Sequence, residues 1–228
     1  MYERSEPLLT INAAPATPGR GIFVFGAPRG GTSMVAGALS LLGVDMGRRQ
    51  GHGNNEDLDI QEARGPVGEL ADAEGKALAA ALERMRPVIA QRAENSEAWG
   101  WKDPHGAFYA PQVEADLPAP RLMAVFRDPQ AAAQRVHMLT ERPLFDALED
   151  TLKLYERCRA YLAQTTQPAA MVSYEKALVR PALFVAQLAA FCGLSPGREQ
   201  IEAATAFCYP ERGHGSPTDP GWPNRGAF

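Results

Sequence analysis

The chain has 228 residues, enough for a continuous core, and at roughly 150 residues per domain it favours one domain with embellishments over two. An apolar share of 45% and a charged share of 22% exclude a fibrous or wholly disordered chain. The net charge of −4 and pI near 5.6 exclude a broad basic surface for duplex nucleic acid, yet leave room for a local basic pocket around a small anion.

Residues 1–20 carry Glu3, Glu6, Pro7, Pro15 and Pro18 without a basic start and an apolar run, so they resemble neither a secretory signal nor a membrane anchor and are expected to form a mobile tail. Ile22-Phe23-Val24-Phe25 predicts a buried strand. After Gly26 the apolar residues Met34, Val35, Ala38, Leu39 and Leu42 follow helical spacing, with Gly43 placed to end the helix in a left-handed conformation. This apolar stretch is too short to span a bilayer, which needs about 20 residues.

Residues 45–66, rich in Gly and Asn and without a sustained apolar period, predict a long loop. Leu78, Leu82, Met85 and Ile89 predict an amphipathic helix that Pro87 should bend or divide. Three further runs predict strands, at 99–102, 122–126 and 171–174. Leu148, Leu152, Tyr155 and Leu162 trace one helical face, and Phe184, Leu188 and Phe191 trace another that stops at Gly193.

Strands alternating with helices predict an α/β, P-loop-type three-layer fold with a mostly parallel central sheet flanked by helices. The expected organisation is one domain over 21–214, with a flexible Gly- and Pro-rich tail over 215–228. Cys158, Cys192 and Cys208 are odd in number and form neither C-x-x-C nor a metal pattern. They predict free thiols and a cytoplasmic, reducing setting.

The most specific motif is GAPRGGTS, Gly26 to Ser33, where strand, glycine-punctuated turn and helix start aim several backbone N–H groups at one point and so create a site for phosphate or sulfate. Gly26 and Gly31 match the nucleotide loop G-x-x-x-x-G-K-S/T, but Thr32 stands where that loop has its lysine. Kinases and triphosphatases use that lysine on the terminal phosphates, so its replacement weighs against phosphoryl transfer.

With Arg29 inside the loop, G-x-P-R-x-G-T-S resembles the 5′-phosphosulfate loop of the sulfotransferase family, whose members move a sulfuryl group from 3′-phosphoadenosine 5′-phosphosulfate (PAPS) to a hydroxyl or amine. The resemblance implies that Pro28, Arg29, Gly30, Gly31, Thr32 and Ser33 surround the 5′-phosphosulfate, Arg29 offsetting charge on the bridging oxygen. LMAVFRDPQAAAQR, Leu122 to Arg135, is similar to the family's 3′-phosphate segment, so Arg127 is expected on that phosphate. Arg135 stands where the family has serine, with a longer reach and a different geometry.

The acidic stretch NNEDLDIQE, Asn54 to Glu62, resembles the loop in which bacterial and carbohydrate members keep a glutamate base, which makes Glu56 the expected proton acceptor, with His52 and His105 in reserve. WGWKDPH, Trp99 to His105, is similar to the family's W-x-x-K-D-P-R. Lys102 is then expected on the transferring sulfuryl or leaving phosphate, and Asp103 to orient it. Val172-Ser173-Tyr174-Glu175 and FCGL, Phe191 to Leu194, resemble fold-supporting family segments, and Arg212 in PERGH resembles a late cofactor contact.

The resemblance implies a PAPS-dependent enzyme with a small-molecule or glycan acceptor and neither a metal, a nucleic-acid partner nor a membrane span. Two alternatives stay open on sequence: a P-loop kinase-like phosphotransferase with a cation supplied from elsewhere, and a catalytically silent nucleotide-binding protein of the same fold.

Overall fold

The computed structural model describes residues 5–14, 19–47, 49, 55–70 and 75–209. Among them the strands β1 (Leu8–Asn12), β2 (Gly21–Phe25), β3 (Gly100–Lys102), β4 (Pro120–Phe126) and β5 (Ala169–Ser173) form one five-stranded sheet in the order β1-β5-β4-β2-β3. β2, β3, β4 and β5 are parallel, and β1 pairs antiparallel with β5. The α/β sandwich with a mostly parallel sheet is thus the architecture expected from the sequence.

The sheet is covered on both faces because successive residues of its strands point to opposite sides. Ile22, Val24, Met123, Val125 and Val172 face α1 (Thr32–Leu41), α8 (Pro181–Cys192) and α9 (Arg198–Phe207). Phe23, Phe25, Leu122, Ala124 and Trp101 face α3 (Lys76–Asn95), α4 (Ala110–Val113) and α6 (Leu144–Leu162). Burial on both faces makes residues 22–25 and 122–126 continuous apolar runs, which is why composition rather than a period announced them.

Three expectations need correction. Residues 8–12 are not part of a mobile tail: they form β1, with Leu8 opposite Val172 and the Ser173 N–H donating to the Pro7 carbonyl at 2.9 Å. Their partner strand lies some 160 residues away, so no local pattern announces the pairing. The stretch 45–66 is not wholly loop, since it contains α2 (Leu58–Arg64). Asp57 caps this helix by accepting from Asp59 and Ile60 N–H groups, a contribution of about 1 kcal/mol that needs no apolar period. Pro87 does not divide α3, which runs unbroken past it, anchored by buried Leu82, Met85 and Ile89.

The remaining helices are α5 (Pro129–Thr140), opening directly after β4, and α7 (Tyr174–Val179), opening directly after β5. Gly43 and Gly193 both adopt positive φ just past α1 and α8, as their positions predicted. The carboxyl ends of β2, β3, β4 and β5 therefore deliver Gly26, Asp103, Arg127 and Tyr174 to one edge of the parallel sheet, the edge at which open α/β sheets bind ligands.

Candidate active site

The loop between β2 and α1 turns on Gly31, the residue preceding the helix, at φ 91° and ψ 4°. A Cβ there would lie 2.2 Å from Cδ2 of Tyr174, so the first residue of α7 packs where only glycine fits. Gly26 is equally confined, because its added Cβ would come 2.6 Å from the Val125 carbonyl oxygen. Arg29 adopts φ 60° with an exposed side chain, and buried Thr32 begins the helix in the position of the missing lysine.

The end of β4 is fastened to this loop. Arg127 Nη1 donates to the Arg29 carbonyl at 3.0 Å, and its guanidinium lies 4.9 Å from the Tyr174 ring centroid, within cation–π range. The Arg127 backbone N–H donates to Tyr155 Oη at 3.0 Å, so α6 also braces the junction. Arg135, half-buried on α5, is near enough for its charge, with that of Arg127, to work against the burial that raises the Tyr174 phenol. Arg29, Arg127 and Arg135 therefore gather around one loop and one aromatic ring.

The second half of the site is at the end of β3. Lys102, with 2% of its side chain exposed, places Nζ 2.7 Å from Glu56 Oε1. Burial lowers the Lys102 pKa, while Glu56 and Asp103 oppose the shift. Glu56 Oε2 accepts from Gln61 Nε2 in the first turns of α2. The residues read from sequence as base and charge stabiliser thus contact one another, across 46 positions of chain.

Asp103 is a buried hub. Its Oδ1 accepts from the His105 N–H at 2.9 Å, its Oδ2 accepts from Tyr109 Oη at 2.8 Å, and Arg64 Nε lies 2.9 Å from Oδ2. His105 is partly exposed, and burial lowers its pKa below 6.5 despite the pull of Asp103 in the other direction. Tyr109 completes the packing with Trp101, whose Nε1 donates to Tyr109 Oη at 3.3 Å.

Other acidic residues of the 54–62 stretch are structural. Asp57 and Asp59 both accept from Arg92 Nη2, at 3.0 and 2.9 Å, while Arg49 pairs with Asp59 and Glu62. Glu56 is the one carboxylate of this group that the fold turns toward Lys102. His52, Asn54 and Arg212 lie outside the described residues.

Several site residues escaped sequence reasoning. Asn55, buried at φ 55°, donates from Nδ2 to the Ser33 carbonyl at 3.0 Å and so fastens the acidic stretch to the start of α1. Tyr155 registered only as one apolar position on a helical face, and nothing in the local sequence signals Arg64. Tyr174 had a signal, its place in the Y-E pair, but was read as supporting the fold rather than as the ring under Gly31.

A family model described as "Sulfotransferase family" matches residues 21–197, more than three quarters of the chain. No curated protein matches in sequence. The fold is similar to that of the sulfotransferase domain from the Synechococcus PCC 7002 olefin synthase, at 14% identity over 81% of this chain and 77% of that one, with a TM-score of 0.54. It is also similar to the sulfotransferase STF1 from Mycobacterium tuberculosis, at 17% identity over 83% of this chain and 72% of that one, with a TM-score of 0.57.

Proposed function

Because the chain belongs to the sulfotransferase family, we propose that it is a PAPS-dependent enzyme that transfers the sulfuryl group to a hydroxyl or amine of a small-molecule or glycan acceptor, by direct in-line displacement and without a metal. PAPS supplies an activated sulfuryl group on a good phosphate leaving group. The residues present suit it: a glycine-only turn at a helix start offers amides to the 5′ end, and three arginines offset the charge of its phosphates.

In this reading Pro28 through Ser33 hold the 5′-phosphosulfate, with Arg127 and Arg135 on the 3′-phosphate and Arg212 a further contact. Glu56 takes the acceptor proton as the new S–O bond forms. Lys102 and Arg29 offset negative charge on the bridging oxygen as the old S–O bond breaks. The cytoplasm, where its buried thiols stay reduced, is the proposed location.

The single observation that carries the proposal is the 2.7 Å Lys102–Glu56 contact at the strand end beside a lysine-free anion loop. It brings a carboxylate and a cation together, which supports a reading in which one takes the acceptor proton and the other offsets the charge of the leaving group. The test is turnover of radiolabelled PAPS against a panel of alcohols, phenols, amines and glycans, comparing the wild type with Glu56→Gln. Labelled product that depends on Glu56 is the expected result. PAPS binding without product on any acceptor would favour the silent binding protein.

A further inference from the structure

The segment carrying Glu56 is docked on the end of β3 at two points whose charges are crossed. Near its start, acidic Glu56 meets basic Lys102 at 2.7 Å; at the end of α2, basic Arg64 meets acidic Asp103 at 2.9 Å. Both side chains of the second pair are nearly sealed from solvent, at 7% and 2% exposed.

That second pair is a poor stabilising device. Arg64 Nε approaches Asp103 without the alignment of a hydrogen bond, and Arg64 Nη1 is buried with no hydrogen-bond partner among the described residues. Buried donors left unmade are rare and costly, and apolar residues of the same volume usually serve stability as well or better. The α2 backbone here is held from elsewhere, since Arg84 donates from Nε to the Ala63 carbonyl and from Nη2 to the Arg64 carbonyl. What the pair adds is a charge-defined register between α2 and β3.

We propose that Arg64 and Asp103 are a positioning pair that keeps the Glu56 segment seated on β3 when bound donor draws Lys102 away from Glu56. This rests on the donor reading above. A donor phosphate at Lys102 competes with Glu56 for the ammonium, so the first clasp loosens on donor binding. Arg64–Asp103 lies outside the reacting groups and stays closed. Glu56 then gives up part of its hold on Lys102 while keeping Gln61, without the segment that carries it lifting off.

The test uses the double variant Arg64→Met, Asp103→Asn, which removes both charges at near-constant volume and leaves an oxygen for the His105 N–H. Hydrogen exchange of the 58–64 amides is followed with and without PAP, the desulfated donor, and PAP affinity is measured by calorimetry. Without PAP, wild type and double variant should exchange within about 2-fold of each other, because Glu56–Lys102 still clasps α2. With saturating PAP, the variant's amides should exchange at least ~10-fold faster than those of the wild type, and Arg64→Lys, which keeps the charge, should restore most of the protection. Equal protection of wild type and double variant in saturating PAP overturns the inference while leaving the donor reading intact. Failure of the wild type to bind PAP overturns both.

Discussion

Replacing Gly31 by alanine tests the geometry of the loop directly. The native φ of 91° is one that L-residues rarely adopt, and holding alanine there costs about 1–3 kcal/mol. The new methyl would sit 2.2 Å from Tyr174 Cδ2, a collision relieved only by moving the ring, at about a further 1–3 kcal/mol. With a central value near 4 kcal/mol, Tm should fall by roughly 8–16 °C for a domain of this size. Thermal unfolding by circular dichroism reads the loss, and the double variant Gly31→Ala, Tyr174→Ala divides it. Deleting the ring removes the collision but not the strain, so the cycle should show a coupling of about 1–3 kcal/mol. A Gly31→Ala protein melting within about 2 °C of the wild type would refute the left-handed turn, and strict additivity would refute the Tyr174 contact.

Lys102→Met should cost up to about 3–5 kcal/mol, the loss expected when one partner of a largely buried pair is removed, and the variant should still melt cooperatively because Glu56, 16% exposed, keeps Gln61. Sulfuryl transfer should nevertheless fall by about 100-fold or more, and turnover within tenfold of the wild type would count against Lys102 as the charge stabiliser. His105 has its folded-state pKa depressed below 6.5, so the unfolded chain takes up the proton first as pH drops. Its contribution to stability is complete above pH 6.5 and is lost as pH falls toward the folded value. Urea midpoints measured from pH 7 to 5 should therefore decline less steeply for His105→Gln, and an unchanged slope would contradict the burial of the imidazole. Cys158, Cys192 and Cys208 are buried, with thiol pKa values pushed up to about 12 by desolvation. The folded protein at pH 8 should react with Ellman's reagent far more slowly than the chain in denaturant, and rapid native labelling would show that the cores are open.

The fold was legible where one physical signal dominated. β2 and β4 are buried on both faces and read as apolar runs, and α1 and α8 carry a 3.6-residue period that stops at Gly43 and Gly193. Elements held by other forces were opaque. β1 exists through a pairing distant in sequence, and α2 through a capping carboxylate and ion pairs to Arg49 and Arg92. The site divides in the same way. Its loop could be found because glycine spacing is a local property, and Lys102 and Glu56 came from motif likeness. The contact between them, the Arg64–Asp103 clasp and the seating of Tyr174 under Gly31 depend on which strand ends become neighbours, and only the sheet order specifies that.

The most direct measurement is a paired calorimetric titration of the purified protein with PAP and with ATP plus magnesium. The account predicts saturable, one-to-one PAP binding at least ~10-fold tighter than ATP, about 1.4 kcal/mol or more, weakened by Arg29→Ala and Arg127→Ala. Tighter binding of ATP with magnesium than of PAP would contradict it and return the lysine-free loop to the kinases.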